Sequence, residues 1–78
     1  MKAKYRHQGN DCIIYDQVIC EDNIVVTVRS YRGAWGKVEP KTTTEVCLTN
    51  SEAKRKFFNY CHHLEGLSYE CVYKEVYK

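Results

Sequence analysis

Along Ile24–Tyr31, Ile24, Val26 and Val28 alternate with Val25, Thr27, Arg29 and Tyr31. Successive side chains of a strand point to opposite faces, so this run predicts a one-sided strand, even residues toward the core and odd ones toward water. The same period returns over Thr42–Leu48, with Thr44, Val46 and Leu48 on one side. A further apolar run, Cys12–Cys20, is interrupted by Asp16-Gln17 and leads into Glu21-Asp22-Asn23, a short turn suited to joining antiparallel strands. Between Leu48 and Gly66 the period changes. Ala53, Phe57, Cys61 and Leu64 recur at three- and four-residue steps, the stripe of a helix from about Ser51 to Glu65 that buries Phe57 and Phe58 on a sheet. Thr49 and Glu52 have capping-box spacing, and Gly66 supplies a left-handed residue to end the helix.

Tyr69–Tyr77 fits both a strand face and a helical stripe, and its β-branched and aromatic residues favour the strand. Residues 1–11 are polar and basic and read as a flexible arm or an irregular edge. The order is therefore β-β-β-α-β in one α+β domain over residues 1–78: a four-stranded, mostly antiparallel sheet with one helix on one face. A right-handed crossover through that helix would run the last strand parallel to the third, so it could also pair in parallel with the first.

Seventy-eight residues bury only about 60% of their unfolded surface, which favours work through an outer surface over a deep cleft. Twelve Lys and Arg against ten Asp and Glu leave a charge of +2, which excludes an acidic mimic of DNA and does not by itself indicate nucleic acid. The basic groups cluster, as Lys2, Lys4, Arg6 and His7 and as Lys54, Arg55 and Lys56. Five cysteines, an odd number with no CxxC pair, and a polar N-terminus without a signal-peptide run lead us to expect a cytoplasmic location and free thiols. No stretch is long enough to span a membrane.

Cys61-His62-His63 holds metal-ligating types, but neighbours on a helix diverge by about 100°, so the three do not converge on one ion. No base is placed beside a cysteine, and Gly33-Ala34-Trp35-Gly36 lacks the residues of a phosphate loop. We therefore expect no enzyme activity, no metal and no cofactor. The expected partner is a protein, bound through Arg32, Trp35 and Lys37 on the loop and Lys54 and Arg55 on the helix, because exposed Trp and Arg anchor interfaces. The alternative is a nucleic-acid module gripping phosphates through Arg29, Arg32, Lys37, Lys54 and Arg55.

Trp35-Gly36-Lys37-Val38, followed by a strand and a helix capped by Ser-Glu-Ala, resembles the WGR domain over the second half of the chain. That family contacts DNA ends or partner domains, and carried over residue by residue the resemblance implies only Trp35, Gly36 and Lys37 as candidates. Lys37 stands in place of its arginine, and Glu39-Pro40-Lys41 replaces its glycine- and lysine-rich stretch. Ser51-Glu52-Ala53-Lys54 echoes the double-stranded-RNA-binding domain, whose first helix has no counterpart here. The layout as a whole, a very short chain with a strand, a Ser-Glu-Ala-Lys-Arg helix, a strand and no catalytic motif, is similar to small phage and mobile-element inhibitors of the anti-CRISPR kind. That resemblance implies stoichiometric binding to a bacterial defence protein such as a CRISPR–Cas complex.

Overall fold

A computed structural model describes residues 1–33 and 36–76, with 36–38 as backbone only. Five strands and one helix follow in the order β1 (Lys2–Gln8), β2 (Cys12–Glu21), β3 (Ile24–Gly33), β4 (Gly36–Val46), α1 (Asn50–Gly66) and β5 (Glu70–Glu75). They form a single α+β sheet in the order β4-β3-β2-β1-β5, antiparallel throughout.

The basic N-terminal segment is not an arm. Its alternation of Lys2, Lys4, Arg6 and Gln8 with Ala3, Tyr5 and His7 is itself a strand pattern, and β1 lies between β2 and β5. This fifth strand also changes the pairing expected for the last one. β5 runs in the same direction as β4, as a crossover requires, but β1 occupies the place beside β2, so β5 pairs antiparallel with β1.

The crossover explains the packing. β4 and β5 lie on opposite edges, about 19 Å apart at 4.8 Å per strand, and a 17-residue helix is about 25 Å long, enough to bridge them over one face. Ala53, Phe57, Cys61 and Leu64 are buried beneath it, as their spacing predicts, against Ala3, Tyr5, Val18, Cys20, Val25 and Cys47. Phe58 is not buried with them. It is 37% exposed and meets Phe57 edge-on at 5.4 Å. The helix also decides which face of β3 is core. Val25, in register with Cys20, is buried, whereas Ile24 is 38% exposed, so the odd residues face the helix and the expected assignment is reversed. Val, Thr and Ile alternate on both faces of β3, and only the helix distinguishes the two.

Thr49 caps α1 by accepting the Glu52 N–H at 3.1 Å. The left-handed residue after the helix is Ser68 (φ 65°), while Gly66 remains inside the last turn. Asp22 (φ 54°) turns β2 into β3. Pro40 does not interrupt β4, because it falls at the β3–β4 register shift on an edge strand, where no ladder hydrogen bond needs its missing N–H.

All five cysteines are thiols. Cys20, Cys47 and Cys61 are buried, Cys12 is half-buried and Cys71 is exposed. In the folded protein a disulfide reagent is expected to label Cys71 first and Cys12 more slowly, with the other three reacting only on unfolding. Rapid labelling of all five would show that the core is not closed over them.

Candidate interaction surface

The helix leaves the other face of the sheet uncovered. β1 contributes Lys2, Lys4 and Arg6 there, β2 contributes Ile13, Tyr15, Gln17 and Ile19, and β3 contributes Ile24, Val26, Val28 and Arg32. Side-chain contacts fix this assignment. The Gln17 amide donates to the Tyr73 hydroxyl at 2.6 Å across β1, the Lys4 ammonium sits 5.0 Å from the centre of the Tyr15 ring, and Lys2 lies 3.7 Å from Glu75. Ile13, Tyr15, Ile19, Val26 and Val28 are all half-buried. Ile19, Ile24 and Val26 line a shallow depression of about 130 Å³ beside the β2–β3 turn. The result is an apolar centre bordered along β1 and at Arg32 by cations.

The expected site residues do not share this surface. Arg32 is exposed on the open face, opposite Ile13 and in register with Lys37. Trp35 lies outside the described residues. Lys54 and Arg55 are exposed near the start of α1, on the other side of the sheet. That start follows the far end of β4, and Arg32 is eight residues along β3 from Ile24, roughly 25 Å away. Lys54 lines a groove of about 490 Å³ together with Met1, Lys2, Ile19, Glu21, Asp22 and Asn50. Arg32 on one side and Lys54 and Arg55 on the other therefore lie on opposite faces of the sheet. The open face also carries Lys4, Arg6 and Tyr15, and the period-2 pattern of Lys2–Gln8 is the sequence signal that places Lys4 and Arg6 there.

Arg29 leaves the phosphate-binding set. It points under the helix and donates through Nε and Nη2 to the Asp16 carboxylate at 2.8 and 3.1 Å. Asp16 is fully buried, and its hydrogen bonds hold the Arg29 pKa above the usual range. Burial, with the nearby Asp16 charge, raises Tyr60 as well. Farther along the helix, the buried Tyr5 hydroxyl donates to Glu65 at 2.5 Å, and Lys74 reaches the same carboxylate at 3.3 Å. Burial first, then that hydrogen bond, pushes the Tyr5 hydroxyl far above its ordinary value, while Tyr5 and then Lys74 hold Glu65 below its own. Burial raises Cys20 and Cys61, which moves both away from the thiolate that a nucleophile or metal ligand needs.

His62 and His63 are exposed while Cys61 is buried, and among the described residues no group of three or more His, Cys, Asp and Glu could hold a metal ion. Among the described residues no helix is long and apolar enough to cross a membrane. Compared with protein families, curated proteins and solved structures, the chain has no match.

Proposed function

We propose that this chain is a non-catalytic binding protein that engages a protein partner through the open face of its sheet. The observation that carries this reading is the one-sided sheet itself. Ile13, Tyr15, Ile19, Val26 and Val28 form a contiguous, half-buried apolar patch with Lys4, Arg6 and Arg32 at its border. An apolar centre with a charged rim is the usual anatomy of a protein interface, and the cations here fit a partner rimmed by carboxylates. Inhibition of a bacterial defence complex such as CRISPR–Cas, in the cytoplasm of a phage's host, is the specific role that the layout resemblance suggests for such a binder.

The test is capture from bacterial lysate followed by mass spectrometry, comparing the wild-type chain with Val26→Glu on the open face and Arg55→Glu on the helix. A specific partner should be lost with Val26→Glu and kept with Arg55→Glu, circular dichroism confirming that both variants fold. Retention of that partner by folded Val26→Glu would overturn the reading.

A second reading rests on Tyr15 and Tyr73, which lie on the same face as Lys2, Lys4 and Arg6. Tyrosine rings among cations can stack single-stranded bases. Affinity for a single-stranded oligonucleotide would then fall steeply as salt rises, whereas a protein interface centred on Val26 and Val28 would respond weakly.

A further inference from the structure

Between Lys41 and Val46 every side chain of β4 is exposed, although Lys56 of α1 reaches over to Glu45 there. The backbone there is half unused. The Cys47 N–H donates to the Asn23 carbonyl at 2.7 Å, which makes Cys47 and Asn23 a hydrogen-bonded pair. Such pairs alternate along an antiparallel ladder, so Glu45, Thr43 and Lys41 also turn their backbone groups toward β3. Thr42, Thr44 and Val46 turn theirs away, and among the described residues no strand lies on that side.

We propose that a second copy of this chain pairs there, β4 against β4, about a two-fold axis passing beside Thr44. This register uses every outward backbone group of the run. Thr44 faces Thr44, Thr42 faces Val46 and Val46 faces Thr42, and each pair exchanges two bonds, about six in all.

The side chains fit the same register. On the open-face side, Val46, 69% exposed, comes opposite the Thr42 methyl group of the second copy. On the helix side, Glu45 comes opposite Thr43, and Lys41 lies diagonally from Glu45 of the second copy, so no like charges stand directly opposed. The contact closes on itself as an isologous dimer. Pro40, at the β3–β4 register shift, has no N–H to offer and ends the pairing at Lys41.

The axis is normal to the sheet. Both helices therefore stay on one side, and the two open faces join into a single ten-stranded surface. Pairing through six residues of each chain buries less than a standard interface, so the dimer forms in a concentration-dependent way.

Sedimentation velocity from low micromolar to near-millimolar protein should show a monomer passing to a dimer. Thr44→Lys and Thr44→Glu, which place like charges face to face across the axis, should each weaken self-association by at least about tenfold. An equimolar mixture of the two should dimerise again. Independently of any variant, hydrogen exchange in the wild-type protein should slow at the Thr42, Thr44 and Val46 amides as the dimer forms. A wild-type chain that stays monomeric throughout, a mixture that remains monomeric where the wild type dimerises, or a dimer that leaves those three amides unprotected would each overturn the proposal.

Discussion

Phe57→Ala is expected to destabilise the domain by about 3–5 kcal/mol, measured by urea denaturation at unchanged slope. The ring is fully buried in the core cluster between helix and sheet that also holds Ala3, Val18 and Ala53. Backbone on both sides holds those neighbours, so the space left by the ring collapses only in part. A domain of 78 residues has a total stability of about 4–12 kcal/mol, so this one change removes a large share of it or unfolds the chain. A midpoint that barely moves would mean that the helix is not seated on this face.

Arg29→Ala is expected to cost about 2–4 kcal/mol, more than Asp16→Ala. The asymmetry follows from exposure. The Arg29 side chain is 41% exposed and Asp16 is 0% exposed. Removing the carboxylate leaves a guanidinium that can turn to water, whereas removing the guanidinium strands a charge with no route to solvent. The exposure of Arg29 also keeps the cost below the upper end for fully buried pairs. Replacing both, as Asp16→Leu with Arg29→Met, should recover most of the loss, since a well-packed apolar pair avoids the desolvation of two charges. Chemical denaturation of the four proteins would decide, and equal losses for the two single changes would contradict this account.

The two surfaces of the sheet make different demands on a partner. The open face of the sheet offers side chains to a partner, whereas the β4 edge offers backbone. A chain that paired through β4 would present two open faces side by side, and a bivalent target would then bind more tightly without any new contact.

Local pattern alone specified the helix. The stripe of Ala53, Phe57, Cys61 and Leu64 and the Thr49 cap are set by residues within one or two turns of each other, so their spacing carries the information. Three other features depend on partners distant in the chain. Lys2–Gln8 alternates as a strand does, but its place inside the sheet is decided only when β2 and β5 pair on either side of it. Val25 and Val26 are equivalent as sequence, and only the helix crossing from β4 to β5 makes one core and the other surface. Arg29 reads as a free cation until the β2–β3 register sets it opposite Asp16, thirteen residues earlier. Periodicity reports which residues share a face of an element, but which face is buried and which charges are matched are decided only when the elements meet.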